Sequence, residues 1–236
     1  MKPSLLLGRD THRELTELLK KERRLVLSGA SNETAKALLL ALLLEQHPQR
    51  TLLVTGREEE TEALQHWLQF FEQETHVLHP IENEEGEVLP DALQVFLQFM
   101  QGEESENGVF LCARDTWDQS FPRFAELLER TLALTVGHEI NFTRFVEDLI
   151  ERGYQHGEDL YLSPGEYRRI GDVFDIFPIQ SAHPYRVSFN VDRVEKIISV
   201  DPIDLSKTED GGREIKIFPL LYEQMVPLSD QLPAKA

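Results

Sequence analysis

The sequence predicts an α/β protein built from a parallel-sheet domain over residues 1–134, a smaller α+β domain with an antiparallel sheet over 135–219, and a tail over 220–236. Two observations carry this expectation. Up to about residue 134, short apolar runs alternate with helix-length amphipathic segments, the pattern of strands joined by crossover helices. Beyond it the hydrophobic period falls to two, and Gly171, Pro178, Pro184 and Pro202 punctuate short runs, as strands in an antiparallel sheet require.

In chain order, residues 11–23 read as a helix with a charged outer face and residues 24–28 as a short apolar strand. Ser31 or Asn32 can cap the next helix, 35–46, which Pro48 ends. Residues 51–55 form a second strand. Residues 58–74 form a helix whose acidic start suits the helix dipole. A third strand at 76–79, an apolar-rich helix at 91–101, a fourth strand at 108–113 and a short helix at 123–129 follow. In the second half, 131–136 is a strand, Asn141 or Thr143 caps a helix running to Arg152, and Gly153 stops it. Strands are predicted at 160–162, 165–170, 172–177, 185–190, 194–201 and 214–218, with Tyr185, Val187 and Phe189 sharing one face and one helix covering the sheet.

Composition excludes several functions. The 24 Lys and Arg stand against 42 Asp and Glu, a formal net charge of −18 spread over both halves. Nucleic-acid affinity comes largely from cations that displace counterions, so tight direct DNA binding is not expected of the chain as a whole. The single Cys112 lies in an apolar run; it can form neither an internal disulfide nor a cysteine metal site and reads as a core thiol. The longest apolar run, 37–44, is far shorter than the roughly 20 residues that span a bilayer. The opening Met1-Lys2-Pro3-Ser4 leads only to Leu5-Leu6-Leu7, which is not a secretory signal. A cytoplasmic protein with no membrane contact is expected.

Ser28-Gly29-Ala30-Ser31-Asn32-Glu33-Thr34 has the strand–turn–helix setting of a phosphate-binding loop but not its chemistry. Such a loop needs glycines to wrap backbone N–H groups around phosphates, a Lys for the terminal phosphates and a following hydroxyl for magnesium. Here Gly29 is the loop's one glycine, the next Lys is Lys36 inside the helix, and Glu33 puts negative charge where a triphosphate would sit. No cofactor is expected. Glu82, Glu84, Glu85 and Glu87 read as a solvated acidic loop, His76 and His79 as surface histidines, and Trp67, Phe70 and Phe71 as core at helical spacing. Asp172 and Asp175 fall on opposite strand faces, and no nucleophile has a base nearby in sequence, so neither catalytic nor metal residues are assigned.

The most informative segment is Gly165-Glu166-Tyr167-Arg168-Arg169-Ile170-Gly171-Asp172-Val173-Phe174-Asp175-Ile176-Phe177-Pro178, a hairpin bent at Gly171. Arg168 and Arg169 point to opposite faces, so at least one is exposed. This segment resembles the UvrB interaction domain, shared by the excision-repair protein UvrB and the transcription-repair coupling factor Mfd. The resemblance continues through His183-Pro184-Tyr185-Arg186-Val187-Ser188-Phe189-Asn190-Val191-Asp192-Arg193-Val194-Glu195-Lys196-Ile197, Val200-Asp201-Pro202 and Ile217-Phe218-Pro219. Upstream it includes Leu134-Thr135-Val136-Gly137-His138-Glu139-Ile140 and Glu151-Arg152-Gly153-Tyr154. The first half is more similar to the degenerate helicase-like domain of Mfd, which has lost ATP binding, than to UvrB. Aligned on Gly29, the UvrB lysine falls on Asn32 and its hydroxyl residue on Glu33.

The resemblance implies a non-catalytic docking module of nucleotide excision repair that binds UvrA, with partner contacts by Arg168, Arg169, Tyr167, Arg186 and Phe174. The chain departs from the family at Ile170, where an Arg normally precedes the glycine. Three alternatives stay open at this level. The arginines could pair only with local carboxylates; the first domain could be a nucleotide hydrolase with an atypical loop; or the chain could be the autoinhibitory piece of a longer translocase, folding back on its motor domains.

Overall fold

A computed structural model describes residues 17, 28–46, 48–101, 108–158, 161–202 and 206–232. Its helices and strands in the first half are α1 (Glu33–Gln46), β1 (Thr51–Thr55), α2 (Glu58–Phe70), β2 (Thr75–Val77), α3 (Pro90–Gln101), β3 (Val109–Ala113), α4 (Arg114–Trp117), β4 (Ser120–Pro122) and α5 (Phe124–Glu129). Then follow β5 (Leu132–Thr135), α6 (Phe142–Glu151), β6 (Gln155–His156), β7 (Glu166–Ile170), β8 (Val173–Ile176), β9 (Tyr185–Asn190), β10 (Arg193–Val200), β11 (Lys207–Asp210), β12 (Glu214–Ile217), β13 (Met225–Pro227) and α7 (Leu228–Gln231). The helix expected at 11–23 and the strand at 24–28 lie outside the described residues, apart from helical Glu17 and from Ser28, which is in no strand. The mixed α/β class is as expected, with a parallel sheet followed by antiparallel ones.

Two compact units divide the chain. One takes the described residues up to His79 together with 101–119; the other takes 80–100 together with the described residues from 120 onward. This division interleaves along the chain.

In the first unit β1 and β2 flank β3 in a parallel sheet, with Thr51 opposite Val109 and Thr75 opposite Val109. All five β3 residues are buried, as a central parallel strand covered on both faces demands. Burial pushes the Cys112 thiol up to about 11, in keeping with a core thiol. Ala37, Ala41 and Leu44 of α1 meet Leu64, Leu68 and Phe71 over Val109 and Leu111. Asn32, not Ser31, caps α1: its Oδ1 accepts from Ala35 N at 2.8 Å. Helix α2 stops at Phe70 rather than at residue 74. There Glu72 takes φ 62° and Gln73 N returns to Leu68 O, a reversal that delivers Thr75 into β2. Of the three aromatics expected in the core, Phe71 is buried, Trp67 is partly buried and Phe70 is exposed. The inward stripe runs Thr61, Leu64, Leu68, Phe71, and Phe70 points off it.

The second unit holds a six-stranded sheet in the order β11-β10-β9-β8-β7-β6 and two separate pairs, β5 with β12 and β4 with β13. The sheet is antiparallel except for β6 against β7. Helix α6 covers one face. Phe145 and Leu149 pack with Tyr167, Phe174, Ile176, Val187 and Phe189 in the largest described core. Asn141 is the cap of α6, accepting from Arg144 N at 3.0 Å. Three expectations change. Tyr161 and Leu162 are not a strand. The strand expected at 214–218 leaves the main sheet and pairs with β5, Glu214 opposite Thr135. The stretch expected as a patternless tail from residue 220 carries β13 and α7, with Leu228 fully buried.

Candidate protein-docking site

The β7–β8 hairpin turns at Gly171, whose φ of 61° is open to glycine without steric cost. Register then decides the two faces. Arg168 lies opposite Asp175, and Asp175 opposite Arg186 on β9, so these three form one cross-strand row. Arg169 lies opposite Phe174 and therefore shares the α6-covered face with Tyr167.

The row is built around a buried carboxylate. Asp175 is 1% exposed. Arg186 clasps it with Nε to Oδ1 at 2.7 Å and Nη2 to Oδ2 at 2.9 Å, a two-pronged fork, while Arg168 Nη2 approaches Oδ2 at 3.4 Å. The hydrogen bond to Asp175 raises the Arg186 pKa above the ordinary guanidinium value. The two arginine side chains remain 14% and 30% exposed on a strongly negative chain. Pairing with a local carboxylate, raised above as an alternative to docking, is therefore present for Arg168 and Arg186, and it orients them.

The other expected contact residues lie elsewhere. Phe174 is fully buried and stacks on Tyr167 at 5.6 Å between centroids, while Tyr167 is buried against it and meets His156 edge-on. Both hold the sheet to its helix rather than facing outward, because strand alternation turns them toward α6. Arg169 is exposed, with its guanidinium 3.8 Å from the centre of the Phe142 ring, a cation–π contact at the helix start. Ile170, where the resemblance leads one to expect an arginine, is 61% exposed at the end of β7.

The UvrB interaction domain family matches residues 132–221, which contain every element of this arrangement. Residues 132–221 are a UvrB interaction domain. The chain is similar to UvrABC system protein B of Thermus thermophilus, 38% identical over 95 residues, covering 40% of this chain and 14% of that protein. It is 32% identical over 110 residues to the same protein of Gloeothece citriformis, covering 47% of this chain and 16% of the relative. The transcription-repair-coupling factor of Borreliella burgdorferi is 25% identical over 112 residues, covering 48% of this chain and 10% of the relative. The chain thus spans a small part of the relatives it matches.

Two residues of the UvrB interaction domain escaped sequence reasoning. Asp175 was set aside because Asp172 does not share its face; its partner is Arg186, eleven positions away across a strand pair. Buried Tyr154 donates to Phe218 O at 2.9 Å and accepts from Ile179 N at 3.2 Å, tying three segments together, and burial holds its phenol well above the usual range. Its position directly after the helix-stopping Gly153 was the available signal.

Outside the UvrB interaction domain, the described part of the Gly29 loop is a turn that leads into α1, and the strand expected before it lies outside the described residues. Gly29 takes φ 99°, Asn32 occupies the helix start, and Lys36 Nζ lies 3.6 Å from Glu33. An incoming triphosphate would meet the Glu33 carboxylate, and Lys36 is paired to it. We expect no change in melting temperature of the chain with millimolar ATP and magnesium; a concentration-dependent rise would show a working site. Among the described residues no cluster of His, Cys, Asp and Glu could hold a metal ion, and no helix is long and apolar enough to cross a membrane. His76 stacks on Phe110 at 5.0 Å and is partly covered, and His79 lines a small cavity of about 140 Å³ with Glu58, Glu62 and Thr116.

Proposed function

We propose that this chain is a cytoplasmic, non-catalytic docking module of nucleotide excision repair that binds a UvrA-type protein through the Arg168–Asp175–Arg186 row. The observation that carries this reading is the buried Asp175 clasped from both sides. A guanidinium already held in place loses little conformational freedom when it meets a partner carboxylate, and arginines so fixed are typical anchors of protein interfaces. The presence of a UvrB interaction domain supports the choice of partner.

Titration calorimetry of the full chain against a purified UvrA protein tests it. Saturable binding is expected in the micromolar range or tighter. Arg186→Gln, which keeps the length of the side chain and loses the charge, is expected to weaken it about tenfold or more while the far-ultraviolet circular dichroism stays unchanged. The absence of heat at tens of micromolar rules the reading out.

A further inference from the structure

Open α/β sheets hold ligands in the crevice beyond the carboxyl ends of their parallel strands. In the first unit a cavity of about 140 Å³ lies at that edge, walled by α2, by the end of β2 and by the junction of β3 with α4. Its polar wall is Glu58, Thr61, Glu62, Gln65, His79 and Thr116. Four of these come from α2 at spacings of three and four, so they share one face of the helix. A helix face that meets the ends of its own sheet is ordinarily apolar. Here it is wholly polar.

The helix dipole accounts for part of this face. Glu58, Glu59 and Glu60 stand in the first turn of α2, where the dipole favours them, but that effect fades beyond the first turn. Glu62 lies further along. It is four residues from Glu58, and like charges at that spacing destabilise a helix. Among the described residues neither carboxylate has an ion pair or a hydrogen bond. A second observation comes from a different element. Thr116 of α4 is 8% exposed and lines the cavity, and among the described residues its hydroxyl has no hydrogen-bond partner. Thr61 is buried too, but its hydroxyl is satisfied, by Thr55 at 2.6 Å and by Arg57 O at 3.3 Å. A buried hydroxyl left without a partner is costly, and whatever fills the cavity supplies one for Thr116.

We infer that this cavity binds a primary ammonium group, carried by a small amine or by a lysine side chain, through Glu58, Glu62 and the Thr116 hydroxyl. The described wall offers carboxylates and neutral acceptors and no lysine or arginine. Among the described residues no group of His, Cys, Asp and Glu could hold a metal ion, which sets a bare metal aside. An ammonium has three donors pointing in different directions and suits acceptors drawn from two helices, whereas a planar guanidinium needs its acceptors in one plane. A cavity of this volume takes a ligand of about six non-hydrogen atoms, the size of a short diamine. The inference does not depend on the docking reading, which concerns the other unit.

Nitrogen–proton correlation NMR of the full chain tests it. Putrescine serves as the free amine, a lysine blocked at both ends as the side chain, and the diol analogue of putrescine as an uncharged control of the same size. Saturable shifts of the Glu62, His79 and Thr116 amides are expected with one or both amines at millimolar concentration, and none with the diol. The amine that binds more tightly identifies the source. Thr116→Val is expected to weaken binding about tenfold, as the loss of a hydrogen bond to a charged group does. Glu62→Gln removes a solvent-exposed charge and is expected to weaken it about threefold. Thr116→Val is also expected to leave the melting temperature of the free chain unchanged or raised, because valine keeps the shape and removes a hydroxyl that had no partner. A melting temperature lowered by that variant overturns the inference, since the hydroxyl would then serve the fold. Diol shifts that match those of the amines overturn it, as does amine binding that neither variant weakens. The absence of saturable shifts with both amines leaves the cavity to water and overturns it as well.

Discussion

Replacing Asp175 by alanine is expected to destabilise the UvrB interaction domain by about 3 kcal/mol, toward the lower end of the cost of breaking a buried ion pair. The reason is the asymmetry of that interaction. A buried pair need not stabilise a fold relative to an apolar substitute, but removing one partner strands the other. Here the carboxylate is 1% exposed and serves two arginines at once. Its loss leaves two guanidinium groups on β7 and β9, one on either side of β8, without the three hydrogen bonds they donate to it. Their residual exposure of 14% and 30% lets water screen part of the repulsion, which is why the lower end is expected. The change is read as a lower urea midpoint by circular dichroism with an unchanged slope. Asp175→Asn keeps the shape and part of the hydrogen bonding and should fall between native and alanine. A midpoint shift corresponding to less than about 1 kcal/mol would show that the row is solvated and contributes little. In the docking reading, Asp175→Ala also weakens partner binding under conditions where the chain is still folded, because Arg186 loses the fork that aims it.

Phe174→Ala is expected to have a comparable or larger effect, about 3–5 kcal/mol, through a cavity at the centre of the same sheet. The ring is fully buried. It stacks on Tyr167 at 5.6 Å and meets Phe142 and Phe145 edge-on at 5.5 Å each. Each such aromatic pair contributes about 0.5–1.5 kcal/mol beyond the area it buries. Those contacts join β7 and β8 to α6, so the loss should be felt as separation of the helix from the sheet. Phe174→Leu fills most of the space and should cost much less. Thermal unfolding followed at 222 nm distinguishes the two. If alanine lowers the melting temperature no more than leucine does, the site has collapsed around the gap. Partner binding should follow the folded fraction in both variants, since Phe174 does not reach the surface.

Both predictions turn on residues that the sequence names but whose roles it does not settle. The hairpin, its bend at Gly171 and the opposite orientation of Arg168 and Arg169 follow from period-two alternation and a single glycine. The exchange of roles around them does not. Phe174 and Tyr167 were expected to touch a partner and instead build the core; Asp175 was passed over and organises the row. Alternation says that neighbouring residues point apart, but not which face a helix will cover. That depends on α6, which brings Phe142 and Phe145 to one side only. The same limit explains the separate β5–β12 pair and the β4–β13 pair, whose partners lie far apart in the chain and leave no local trace. Local punctuation was more reliable. Asn32 and Asn141 were each one of two expected caps, and each now has its hydrogen bond. Helix α2 ended early because Glu72 adopts a left-handed conformation that composition does not announce.

By itself the sequence determined the mixed α/β class and the change from parallel to antiparallel architecture, and it shows which side chains stand at the Gly29 turn. These depend on periodicity, on net charge and on which side chains stand at fixed spacing, all of which are local. Only the tertiary structure decided that one buried carboxylate would hold two arginines on a shared face, and that Val191 would stand strained and exposed at the end of the sheet. The first is a matter of register between strands, which brings residues seven and eleven positions from Asp175 beside it, and the second of the turn geometry that this register imposes.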